Sequence, residues 1–147
     1  MRFIKILILF ALHIALLGYT QPNLKKINLG EFSVTIPRNW NQKRLGGVDS
    51  FVGEIVGPKV LLSFDYSDMG YANHLDEIDA KSHIIKTDSS GKYIIKIIYP
   101  KISGKGMTGV YIKHKSSNSN FQMNGENLSA SNQKLALAAF ETINFKQ

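Results

Sequence analysis

An apolar run, "KYIIKIIYP", occupies Lys92–Pro100. Along an extended strand, Tyr93, Ile95, Ile97 and Tyr99 fall on one side and Ile94 and Ile98 on the other, with Lys96 the only break. A strand that is apolar on both faces belongs in a sheet covered on both sides, so this run is expected to be the central strand of a layered domain. Pro100 ends it. The preceding "SHIIKTDSSG", Ser82–Gly91, supplies a second arm, and a hairpin is expected over Asp88-Ser89-Ser90-Gly91.

Outward from this hairpin, strand signals recur. "EFSVTIP" alternates Phe32, Val34 and Ile36 with Ser33 and Thr35 and stops at Pro37; "IPRNW" then turns and returns Trp40 to the core. "SFVGEIV" and "KVLLSFDY" read as two strands joined at Gly57-Pro58. "GMTGVYIKHK" continues the sheet, "SSNSN" turns, and "FQMNG" is a short return strand. The period then changes. "NLSASNQKLALAAFETI" places Leu128, Leu135, Leu137, Ala138 and Phe140 at helical spacing, with Ser129 or Ser131 as cap. "INFK" closes the chain as a short edge strand or tail. The fold class expected is α+β: a mainly antiparallel sheet of six or seven strands with a C-terminal helix packed on it.

The first twenty residues are set apart from this domain. Arg2 and Lys5 precede an apolar run from Ile6 to Gly18 broken only by His13, too short for the roughly twenty residues that cross a bilayer. That is the pattern of a signal peptide over residues 1–20, with cleavage between Gly18 and Gln21. The remainder, 21–147, is expected to be a single exported α+β domain, periplasmic or secreted, with no stable membrane span after signal removal. The chain has no cysteine, which excludes disulfides, thiolate metal sites and cysteine nucleophiles.

The formal net charge is +7, and loss of Arg2 and Lys5 with the leader lowers it by two. Seven acids and one base, Lys59, lie between Asp49 and Asp79; eight lysines and one acid, Asp88, lie between Lys81 and Lys115. The lysines alternate with Ile and Tyr and arginine is scarce, so a solvated sheet face is expected, with the two blocks facing each other on neighbouring strands. No nucleic-acid partner is expected, because phosphate readers favour arginine's fork and the chain is exported.

"FSVTIPRNW" resembles the F-x-[VI]-x-[IV]-P-x-x-W opening of the PsbP/Mog1-like superfamily, and "LSASNQKLALAAFETINF" resembles its ending. The segments between resemble small exported proteins of unknown function from Bacteroidetes-type bacteria. The resemblance spans most of Phe32 to Phe145. It implies an α/β/α-like sandwich around an antiparallel sheet and the role of a small scaffold or accessory domain. It implies no reaction and carries over no catalytic residues.

Acids and a histidine gather around one glycine in "SFDYSDMGYANHLDEID", Ser63–Asp79. Laid on a twelve-residue calcium loop, Asp65, Ser67, Gly70, Asn73 and Asp76 fall at positions 1, 3, 6, 9 and 12, but Met69 occupies position 5 and a strand enters where a helix should. The alternative is a polar loop with Leu75 and Ile78 folded inward. Its candidate binding residues are Asp65, Asp68, Tyr71, Asn73, His74 and Asp76. His83 and His114 sit beside lysines and are expected on a solvated face. Ser131–Lys134 matches S-x-x-K without its downstream partners, and "SGKGMTG" lacks the phosphate-loop spacing. No catalytic set, resident metal or cofactor is expected, apart from calcium at the acidic loop. Two functions stand: a non-enzymatic exported accessory or binding domain for a protein or envelope component, and a small metal-assisted hydrolase using Asp65, His74 and Asp76.

Overall fold

The structure, a computed structural model, describes residues 23–146; the predicted signal peptide lies outside the described residues. The described residues form ten strands: β1 (Leu24–Asn28), β2 (Phe32–Pro37), β3 (Asn41–Arg44), β4 (Phe51–Gly57), β5 (Val60–Ser67), β6 (His83–Ser90), β7 (Tyr93–Pro100), β8 (Met107–His114), β9 (Asn120–Glu126) and β10 (Asn144–Phe145). A short 3₁₀ turn (His74–Glu77) follows β5, and one helix, α1 (Ala130–Phe140), precedes β10.

The strands make two antiparallel sheets, a seven-stranded one in the order β3-β4-β5-β9-β8-β7-β6 and a three-stranded one in the order β1-β2-β10. The large sheet is two meanders, β3 to β5 and β6 to β9, joined where β5 pairs with β9. The fold is therefore α+β, mostly antiparallel sheet with one C-terminal helix. The second sheet departs from the single sheet expected: its β1 and the large sheet's β3 read "LKKIN" and "NQKR", too polar for a strand pattern.

The expected hairpin forms with an eight-pair register, but Asp88, Ser89 and Ser90 are paired strand residues and the turn is Gly91-Lys92, with Ser90 opposite Tyr93. Gly91 takes φ of 52° at the first turn position, as a two-residue II′ turn requires. The strand β7 is not central, however. It lies second from the edge, between β6 and β8, and β9 holds the middle. Both faces of β7 are nonetheless covered: Tyr93, Ile95 and Ile97 pack toward the main core, and Ile98 packs with Leu75 and Tyr111 on the other face. Two-sided apolarity reports the layers above and below a strand, not its lateral rank.

The main core lies between the large sheet and the layer made by β2 and α1. Phe32 is fully buried there, with ring centroids 4.7 Å from Phe121 and 5.3 Å from Phe64. Trp40 is buried, as expected, and packs over Gly57, where any Cβ would overlap the indole. The helix is capped by Ser129, whose Oγ accepts the Asn132 N–H at 3.3 Å. Its buried face is Ala136, Ala139 and Phe140, while Ala138 is exposed and Leu135 and Leu137 are half-buried. The face is thus rotated from the expected one, with small residues bringing the helix close to β2 and β8. Among the described residues no helix is long and apolar enough to cross a membrane.

The other face of the large sheet carries no helix among the described residues. It is covered by the segment around the 3₁₀ turn, with Leu75 buried and Ile78 half-buried. The two charge blocks are not on neighbouring strands, because β9 separates β5 from β8. Among the described residues one ion pair joins them, Lys96 with Asp76, made possible by the segment folding back over the sheet.

Phe32→Ala is expected to cost about 3–5 kcal/mol of unfolding free energy, since it empties the junction of the two sheets. Gly57→Ala is expected to cost about 1–3 kcal/mol by overpacking Trp40. Val48→Ala, at a fully exposed site, should stay within about 0.5 kcal/mol. Urea unfolding of the three variants checks the ranking.

Candidate functional site

A cleft of about 660 Å³ opens at one end of the main core. Its floor and walls are Tyr66 of β5, Phe121 of β9, Ile112 and His114 of β8, Tyr93 of β7 and Phe145 of β10. Strand register explains the gathering. Tyr66 lies opposite Phe121, Phe121 opposite Ile112, and Tyr93 opposite His114, so these side chains share the core face on adjacent rungs. The pairing of Phe145 with Phe32 then delivers the last ring from the smaller sheet. Phe145 sits 5.3 Å from Tyr93, 5.5 Å from Phe121 and 6.0 Å from Tyr66, centroid to centroid. Glu31, Lys92 and Lys146 stand at the rim.

A polar corner closes one side. The Tyr66 hydroxyl donates to Asp68 Oδ1 at 2.7 Å, and the Ser119 hydroxyl donates to the same oxygen at 3.1 Å. Burial pushes the Tyr66 phenol up to about 12, and the Asp68 carboxylate adds to the shift through its hydrogen bond and its charge. Tyr66 therefore acts as a fixed neutral donor. His114 accepts the Ser116 N–H on Nδ1 at 3.2 Å, which assigns the ring proton to Nε2, and its ring meets Tyr93 edge-on at 5.3 Å. A smaller cleft of about 460 Å³ adjoins the first, sharing Glu31 and Tyr66 and bounded by the loop before β4.

The six residues singled out in the acidic stretch are divided between the two faces of the sheet. Asp68 joins Tyr66 on the core side. Asp65 is on the opposite face across from Gln122, half-buried, with Oδ1 enclosed and without a hydrogen-bond partner. His74 Nδ1 lies 3.0 Å from Gln122 Nε2, and Asp76 is held by Lys96. Tyr71 is exposed, and Asn73 precedes the 3₁₀ turn without a side-chain capping bond. In the calcium register, Gly70 makes the expected turn at φ of 84°, but Ser67 is buried and its Oγ accepts the Met69 N–H. Among the described residues no three His, Asp or Glu side chains gather within reach of one metal ion.

The remaining motifs resolve as structure. His83 is half-buried rather than solvated, with Nε2 accepting the Met107 N–H at 3.2 Å. Ser131 is exposed and bonds Ser129, the actual helix cap. "SGKGMTG" is a turn through Gly104 and Gly106, both at positive φ, into β8.

No protein-family model matches the chain, and no curated protein matches it. The cleft offers aromatic faces, one neutral hydroxyl donor tied to a carboxylate, and a rim of Glu31, Lys92 and Lys146. Its members were invisible in the sequence because Tyr66, Tyr93, His114 and Phe145 lie on four strands and share no local motif.

The Tyr66 arrangement has a pH consequence. Its folded pKa lies above the unfolded value near 10, so its contribution to stability is complete below about pH 10 and is lost as pH rises toward 12. Asp68→Asn removes the charge and the anionic acceptor and is expected to lower the Tyr66 pKa toward 10, read as an earlier phenolate absorbance step in an alkaline titration.

Proposed function

We propose that the chain is an exported, non-enzymatic binding domain that takes a flat apolar group, carried by a protein or envelope component, into the cleft under β10. The observation that carries this reading is the open ring set of Tyr66, Tyr93, Phe121 and Phe145 around about 660 Å³ of space. Ligand sites are typically concave, mostly apolar and furnished with a few fixed polar groups, as here with Tyr66, Asp68 and Ser119. The rim lysines suit a ligand with an anionic end. Export rests on the leader pattern of the first twenty residues. The PsbP/Mog1-like kinship is part of the proposal. The buried Trp40 after "FSVTIP" and the helix leading into a short final strand support it, whereas the single helical layer among the described residues departs from a sandwich with helices on both faces. The hydrolytic alternative rests on Asp65, His74 and Asp76, and the pairing of His74 with Gln122 and of Asp76 with Lys96 gives it no support.

Anilinonaphthalene sulfonate, an aromatic anion, is the probe. Saturable binding to the native protein is expected, with Tyr93→Ala weakening it roughly threefold to tenfold. Ring resonances of Tyr66, Tyr93 and Phe145 should shift on titration. Shifts confined to Leu75 and Tyr111, on the opposite face, would overturn the assignment.

A further inference from the structure

The large sheet ends on one side at β3, four residues long, and on the other at β6, eight residues long and regular throughout. Among the described residues nothing pairs with the outer side of β6. An edge of that length without proline or bulge is a template for another strand. We propose that it pairs with the β6 of a second copy, antiparallel about a two-fold axis at Thr87.

The backbone parity sets which registers are open. Lys101 N–H donates to Ser82 O at 3.0 Å, and the same register continues through β6 and β7. Bonding alternates along an antiparallel pair, so even-numbered residues of β6 face β7 and His83, Ile85, Thr87 and Ser89 turn their N–H and C=O groups outward. A two-fold partner must set odd residues against odd ones. Centring on Lys86 sets that lysine against its own copy, and centring on Asp88 sets two carboxylates together. Centring on Thr87 places Lys86 of each copy opposite Asp88 of the other, on one face, in the closer non-bonded pairing. Thr87 then exchanges both backbone bonds with its own copy, and Ile85 exchanges with Ser89.

Lysine on a strand edge ordinarily guards against such pairing. Here the guard is answered by an acid two residues along, and Asp88 is the single acid between Lys81 and Lys115. In the isolated chain the Asp88 carboxylate accepts the Ser89 N–H at 2.7 Å, and Lys86 Nζ lies 5.6 Å from the Tyr99 ring centre. Pairing exchanges the first contact for an inter-strand backbone bond and frees the carboxylate for Lys86 of the second copy. The contact is isologous and closes at two copies, joining seven strands from each into one sheet.

Sedimentation velocity of the purified protein tests this. The wild type is expected to be a dimer in the micromolar range. Asp88→Lys and Lys86→Asp should each weaken it by roughly tenfold or more, and the Lys86→Asp/Asp88→Lys double variant should restore it. Thr87→Pro removes an outward N–H, leaves the β6–β7 ladder intact, and should give a monomer with unchanged circular dichroism. A wild type that stays monomeric, a dimer indifferent to Asp88→Lys and Thr87→Pro, or an edge taken only by a foreign peptide would each overturn the proposal.

Discussion

Phe32 has to be kept out of water, and much of the molecule follows from how that is done. β2 carries Phe32, Val34 and Ile36 on one side, all fully buried, and cannot exist alone with that face exposed. It lies against the large sheet, where Phe32 meets Phe64 and Phe121 edge-on. β1 and β10 then occupy its two edges. α1 completes the layer, pinned at its start by Asn132 Nδ2 donating to the Lys59 carbonyl at 3.1 Å, and at its end through Thr142 Oγ1, which accepts the Thr35 N–H at 2.8 Å. The helix end fixes where β10 begins, and β10 places Phe145 opposite Phe32. The aromatic cleft is thus a by-product of the layer that hides Phe32, left where the two-residue β10 is too short to roof the sheet.

The opposite face solves a different problem. β9, the central strand, carries Asn120, Gln122 and Asn124 there, and buried amides need partners. The acidic segment supplies them from its backbone: Ala72 N–H donates to Asn120 Oδ1 at 3.1 Å and Leu75 N–H to Gln122 Oε1 at 3.2 Å. Leu75 fills the notch over Gly109, where a Cβ would lie 2.7 Å from its Cδ1. Two amides, one leucine and the Lys96–Asp76 pair fasten this stretch as a cover for the sheet.

Local chemistry was legible in the sequence and lateral order was not. The hairpin at Gly91, the turn at Gly57-Pro58, the burial of Trp40 and the inward fold of Leu75 and Ile78 each follow from a few adjacent residues. The rank of a strand within its sheet does not. β7 looks central because both its faces are greasy, while the true centre reads "NFQMNGE", whose Asn120 and Gln122 are met by a loop nearly fifty residues away. The cleft was hidden for the same reason, since it is assembled from the ends of strands that topology alone brings together.

That lateral order also explains the character of β6. A strand as apolar as β7 cannot stand at a rim, because its backbone edge and both greasy faces would meet water together. β6 is the answer, and its two halves differ. Ile85 tucks into the small cluster with Leu75, Ile98 and Tyr111, whereas Lys86 through Ser90 are exposed to the turn. The apolar half anchors the strand and the polar half keeps Ile95 and Ile97 from forming the sheet's margin. Shielding β7 in this way moves the unpaired backbone outward by one strand instead of removing it. The open edge at Thr87 is therefore a direct result of placing the most hydrophobic strand second from the end.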